Sequence, residues 1–84
     1  MSRYSINENI AISENGFMFV PNTGESFMVN ETGKFIINQL KEGKSDSEII
    51  ELITEEYDAD FETAQRDFDE FITMLGNLNL VEEV

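Results

Sequence analysis

The spacing of apolar residues changes close to Asn30, and this change restricts the fold more than any other feature of the sequence. Before Asn30, short apolar runs are separated by turn residues. After it, apolar residues recur at the three-to-four-residue spacing of amphipathic helices. A chain of 84 residues has room for one core, so both halves must share it. We therefore predict a single α+β domain over residues 1–84, a winged-helix-like arrangement in which a three-stranded antiparallel sheet is followed by three α-helices.

Three short strands are predicted in the first half, over residues 10–13, 17–20 and 25–29. Asn15-Gly16 and Pro21-Asn22-Thr23-Gly24 are typical turn sequences between them. The second strand is apolar throughout, which suits a strand covered on both faces or one whose outer face meets a partner. Residues 1–9 and 82–84 are expected to fray.

Local capping signals and apolar stripes define the three helices. Asn30 is a suitable N-cap for the first helix, and Ser45 with Glu48 forms a capping box for the second, which should run to about Tyr57. Asp58 or Asp60 can cap the third, which should stop at Gly76-Asn77. The residues predicted to face the core from these helices are Gly33, Ile36, Ile37, Leu40, Ile49, Leu52, Ile53, Phe61, Ala64, Phe68, Phe71, Ile72 and Leu75. Residues 78–81 alternate and could add a final strand.

The composition excludes most catalytic chemistry. The chain has no cysteine and no histidine, so the commonest metal ligands, nucleophile and general base are missing. Asp58-Ala59-Asp60-Phe61-Glu62 opens like a calcium loop, but Thr63 stands where that loop needs glycine. We predict no metal, no cofactor and no enzymatic activity, and therefore a binding module.

Charge narrows the choice of partners. The formal net charge is −13, and residues 45–84 hold thirteen acidic residues against Arg66 alone. Such a surface repels nucleic acid and anionic lipid and attracts basic segments. No apolar run approaches the roughly 20 residues of a membrane span. A cytoplasmic protein that binds neither nucleic acid nor membrane is expected.

The order of these motifs from about Gly16 to Val81 resembles the PqqD family of peptide chaperones and the wider set of recognition elements for ribosomally synthesised and post-translationally modified peptides. The apolar strand, the proline turn and the following strand appear in family order. Val29-Asn30-Glu31-Thr32 is similar to the family's Leu-Asn-Glu-Thr signature. The later motifs that match are Glu42-Gly43, the capping box and helix from Ser45 to Ile53, Tyr57-Asp58, and the stripe from Asp67 to Leu75.

This resemblance implies a non-catalytic domain that captures the leader of a precursor peptide and presents it to a modifying enzyme, often a radical SAM protein. It implies that the leader adds as a strand beside the third predicted strand and packs against the third helix. The peptide-binding residues that it suggests are Ser26, Phe27, Met28, Val29, Ala64, Phe68, Phe71 and Ile72. Among these we favour the backbone of Met28 and the side chain of Phe68.

Two other functions remain open from the sequence. The same groove could serve a protein–protein adapter or a regulatory winged-helix domain with a folded partner. The domain could also form a homodimer joined edge to edge through its sheet.

Overall fold

The chain folds into three helices and two small antiparallel sheets in a computed structural model that describes residues 2–21 and 23–84. The strands are β1 (Tyr4–Ile6), β2 (Ala11–Ile12), β3 (Phe17–Phe19), β4 (Ser26–Met28) and β5 (Val81–Glu83), and the helices are α1 (Glu31–Lys41), α2 (Asp46–Tyr57) and α3 (Phe61–Asn77). The predicted α+β architecture is confirmed.

The helices begin where the capping chemistry predicts. The Asn30 side chain accepts a hydrogen bond from the Gly33 N–H, and Asp60 does the same for Thr63. At α2 the Ser45 and Glu48 side chains each bond to the other residue's backbone N–H, which completes the capping box. Such caps satisfy amide groups that the first helical turn leaves without partners.

The three-stranded sheet has the order β2-β3-β4, so β4 is an edge strand. Met18 pairs with Phe27 at the centre of the β3–β4 ladder. The turn before β3 places Gly16 at a φ of +88°, a conformation that glycine adopts without a steric cost. Gly24 also has a positive φ in the turn before β4, whereas Asn22 of that predicted turn lies outside the described residues.

The two ends of the chain pair with each other, which corrects the expectation that residues 1–9 and 82–84 fray. β1 and β5 are antiparallel, with Ser5 opposite Glu82. The Ser2 N–H donates to the Asp46 carboxylate at 2.8 Å, and the Val84 N–H donates to the Arg3 carbonyl at 2.9 Å. The final strand also begins later than predicted, at Val81, because the residues before it close the end of α3.

The core lies between the sheets and the helices. Its fully enclosed members include Met18, Ile36, Ile49, Phe68 and Leu75. Ile50 is buried on α2, whereas Leu52, which the pattern placed inward, is only half-buried. Within the described residues, no helix is both long and apolar enough to cross a lipid bilayer.

Candidate functional site: an open strand edge beside a groove

The outer edge of β4 presents backbone groups that the sheet does not use. Bonds from the Val20 N–H to the Glu25 carbonyl and from the Val29 N–H to the Gly16 carbonyl flank the β3–β4 ladder. Because hydrogen-bonded and non-hydrogen-bonded pairs alternate along antiparallel strands, Phe27 bonds to Met18, while Ser26 and Met28 point their N–H and C=O groups away from β3. Ser26 and Met28 are both exposed, so these groups are accessible to another strand.

The outer face of the same sheet is apolar and exposed. Phe17 and Phe19 are 40% and 49% exposed, while Met18 between them is fully buried. Met28, which is 67% exposed, lies opposite Phe17 across the ladder. The second strand is therefore not covered on both faces, which was one of the two arrangements that its apolar sequence allowed. The other arrangement, in which the outer face meets a partner, stays a prediction.

A groove of about 290 Å³ lies between the start of α1 and the middle of α3. Its lining residues are Asn30, Thr32, Gly33, Ile36, Asp67, Glu70, Phe71 and Met74. The α3 members are spaced i, i+3, i+4 and i+7 and therefore form one stripe of that helix. Asn30 follows β4 by two positions, so the groove adjoins the end of the open strand edge.

The predicted peptide-binding residues divide into three groups. Ser26 and Met28 lie on the open edge, and Phe71 lines the groove. Phe27 and Ile72 are half-buried and pack against the core. The others, Val29, Ala64 and Phe68, are themselves buried in the core.

Phe68 is 1% exposed, which corrects the expectation that it would be the main groove contact on α3. The Tyr4 ring packs edge-on against it with a centroid separation of 6.1 Å. Asp67, Glu70 and Met74, which the sequence argument did not assign to the site, line the groove with Phe71. In the sequence these residues form a helical stripe of acidic and apolar side chains beside the purely apolar stripe of α3. That pattern is the signal that could have identified them.

The groove combines an apolar floor with an acidic rim. The half-buried Phe71 and Met74 offer carbon surface, and Asp67 and Glu70 place two carboxylates beside it. The nearest cation to Asp67 is Arg66, whose Nε lies 4.0 Å away and whose side chain is largely exposed. Such a surface suits an apolar side chain flanked by basic residues.

Across residues 2–21 and 23–84, no three acidic side chains converge closely enough to hold a metal ion. The groove carboxylates are separated by one helical turn and face an apolar floor.

Comparison with known proteins agrees with this fold. A sequence model of the family described as "Coenzyme PQQ synthesis protein D (PqqD)" matches residues 16–81. One similar solved structure is described as "TbiB1 in Complex with the TbiA(beta) Leader Peptide", with 31% identity, a TM-score of 0.81, and coverage of 93% of this chain and 94% of that one. A comparison with curated proteins gave no match.

A second solved structure is described as "Lasso peptide synthetase B1 complexed with the leader peptide". It is 22% identical, has a TM-score of 0.80, and covers 95% of this chain and 98% of that one. At this identity the likeness concerns the fold. Together the fold and the open edge define a small α+β domain of the recognition-element type. The chain belongs to the PqqD family.

Proposed function

We propose that this chain binds the leader segment of a ribosomally made precursor peptide by adding it as a strand to the open edge of β4. The observation that carries the proposal is the position of that edge beside the groove between α1 and α3. Both related structures are described as complexes with leader peptides, which supports the same role here.

Backbone and side-chain contacts have separate tasks in this mode of binding. The outward N–H and C=O groups of Ser26 and Met28 supply hydrogen bonds that any extended peptide can make. Specificity must then come from the side chains that enter the groove, since alternate residues of an added strand point to the same side. Among the predicted site residues, Phe71 lines the groove, and in this proposal its ring contacts one of these peptide side chains.

The domain presents its peptide to an enzyme and is itself non-catalytic in this proposal. Proteins of this type generally act as binding partners, and the chain has no cysteine or histidine with which to perform common nucleophilic or acid–base chemistry. In this proposal the modifying enzyme acts in the cytoplasm, where the ribosome releases the precursor. Its substrate is the precursor whose leader is bound to this domain. A radical SAM enzyme stays a prediction. One related structure is itself described as "Lasso peptide synthetase B1", so an enzyme of lasso peptide synthesis is the other candidate class.

Titration of the purified protein with a synthetic TbiA(beta) leader and with leaders from short reading frames adjacent to its gene tests the proposal. Isotope-edited NMR should show binding-induced shifts at the Ser26 and Met28 amides and around Phe71. A scrambled leader of equal composition is the control. Binding with shifts confined to α2, or no preference over the scrambled leader, would refute strand addition at β4.

An edge-to-edge homodimer is the competing use of the same backbone groups. Exposed Phe17, Phe19 and Met28 beside the edge give that alternative its one favourable observation. Sedimentation velocity over a hundredfold range of concentration separates the two. A monomer throughout supports the peptide-binding role, and a dimer that leader addition does not dissociate supports the alternative.

A further inference from the structure

We infer that Gly33 is a specificity-determining residue, because its missing side chain lets the Phe71 ring lie against α1 and so keeps the groove open to a bulky apolar side chain. The inference rests on the proposed function and deepens it, since it concerns the chemistry of the leader residue that the groove accepts. It depends on the packing of two residues that both line the groove.

The contact between Gly33 and Phe71 leaves no room for a β-carbon. An ideal Cβ built on Gly33 would lie 2.8 Å from Cε1 and 3.2 Å from Cζ of the Phe71 ring. It would also lie 3.2 Å from Oδ1 of Asn30, the oxygen that caps α1. A carbon–carbon distance of 2.8 Å is well inside the optimal separation of about 3.5 to 4 Å, so one partner must move.

The Phe71 ring is the partner that can move. Gly33 is held by the α1 backbone and by its hydrogen bond to the Asn30 cap, which measures 2.8 Å. Phe71 is only half-buried and borders open space, so its ring can rotate away from α1. Because the ring lines the groove, its displacement together with the added methyl group changes the space that a ligand side chain would fill.

Glycine has no backbone reason to be present at this position. Gly33 lies within α1, and its φ is not in the left-handed region that Gly16, Gly24 and Gly43 occupy. Gly33 is the third residue of α1, and glycine is a weaker helix former than alanine. The close approach of Phe71 explains a residue that helix propensity alone would disfavour.

The experiment compares Gly33→Ala with Gly76→Ala, a matched control on α3 where an added Cβ would meet nothing within 4 Å. The probes are the TbiA(beta) leader and versions of it with each bulky apolar residue replaced by alanine. We expect Gly33→Ala to weaken binding of the unmodified leader about tenfold, the scale of an overpacked contact. Gly76→Ala should leave the dissociation constant unchanged.

A double-mutant cycle between Gly33→Ala and the alanine-substituted leaders identifies the leader residue that binds in the groove. One alanine-substituted leader should lose much affinity for the wild-type protein and little for Gly33→Ala, since the coupled pair is already disrupted. Equal affinity of the wild-type protein and a folded Gly33→Ala variant for the leader would overturn the inference, and so would additive losses for every leader position.

Two further measurements test the contact between Gly33 and Phe71 without a leader peptide. Nuclear Overhauser contacts between the Gly33 α-protons and the Phe71 ring should be present in the free protein, and their absence would overturn it. Phe71→Leu removes the ring atoms that the new methyl would meet, so in urea denaturation Gly33→Ala should lower stability less in a Phe71→Leu background than in the wild-type protein, and an equal loss would overturn the inference. If the wild-type protein and Gly76→Ala both fail to bind leaders, the proposed function itself is refuted.

Discussion

The two sheets of this molecule use the same kind of backbone ladder for different purposes. β1 and β5 join the chain ends, and side-chain bonds such as that between Ser2 and Glu83 reinforce them. In the β2-β3-β4 sheet the edge strand β4 instead adjoins the groove, and aromatic residues are exposed on the outer face. The β1–β5 sheet stabilises the fold by joining the chain ends, whereas the β2-β3-β4 sheet has outward backbone groups beside the groove.

The same division runs along α3. Phe68 faces the β1–β5 sheet, where the Tyr4 ring packs against it, whereas Phe71 lies one helical turn further and lines the groove. Two phenylalanines of one amphipathic helix therefore belong to different regions. The comparison predicts that stability and binding can be impaired separately.

The largest expected effect is the loss of stability in Phe68→Ala. Truncating a buried phenylalanine costs about 3 to 5 kcal/mol, a large share of the stability of a small domain. Phe71→Ala removes a half-exposed ring and should cost only about 1 to 2 kcal/mol, while weakening leader binding more than tenfold. Urea denaturation and peptide titration of both variants measure the two quantities. A greater loss of stability in Phe71→Ala would contradict the division along α3.

Proline substitutions in β4 compare an amide group that bonds to β3 with one that points away from the sheet. Met28→Pro removes an outward N–H and should weaken leader binding about tenfold to a hundredfold with little loss of structure, because edge strands tolerate proline. Phe27→Pro removes an amide that bonds to Met18 and should destabilise the sheet. Circular dichroism monitors folding and fluorescence anisotropy monitors binding. Unchanged affinity in a folded Met28→Pro protein would exclude strand addition at that amide.

The helix starts could be predicted from nearby capping residues. The division of the α3 residues between core and groove could not, because it depends on which distant segments pack against that helix. Asn30, Ser45 and Asp60 each bond within the first helical turn, so their roles are legible from a few neighbouring residues. The pairing of Ser5 with Glu82 joins opposite ends of the chain and has no local signal. Tyr4 of β1 packs against Phe68, so the burial of Phe68 depends on this long-range pairing and could not be predicted from α3 alone. The open edge itself followed from the strand order.

A smaller effect is expected from the acidic rim of the groove. Asp67→Asn with Glu70→Gln should lower the association rate of a basic leader at low salt and reduce its salt dependence. The matched control is Glu51→Gln with Glu55→Gln on α2, which removes the same charge away from the groove. Each exposed charge pair contributes only about 0 to 1 kcal/mol to the binding free energy, so the dissociation rate should change little. Stopped-flow measurements that give equal rates for the two double variants would show that the carboxylates at the groove do not steer the peptide.

The smallest predicted effect concerns the pH dependence of the capped helices in the folded domain. The backbone and side-chain hydrogen bonds of Ser45 lower the pKa of Glu48, and the Thr63 backbone N–H lowers the pKa of Asp60. A lowered pKa means that the folded state binds fewer protons, so the stabilisation is complete above the unfolded pKa and is lost as pH falls through the folded value.

The decline for Glu48 should therefore begin near its ordinary pKa of 4.5 and continue below it. Glu48→Gln retains an oxygen that can accept the bond from the Ser45 N–H but does not titrate in this range. Urea denaturation of this variant from pH 7 to pH 3 should show a shallower loss of stability than the wild-type protein shows. Glu51→Gln on the same helix is the control, since Glu51 has no part in the capping box. Parallel curves for Glu48→Gln and the wild-type protein would mean that the cap is equally strong with a protonated carboxyl. Leader affinity should not follow this titration, because the capping box stabilises α2 and lies outside the residues that line the groove.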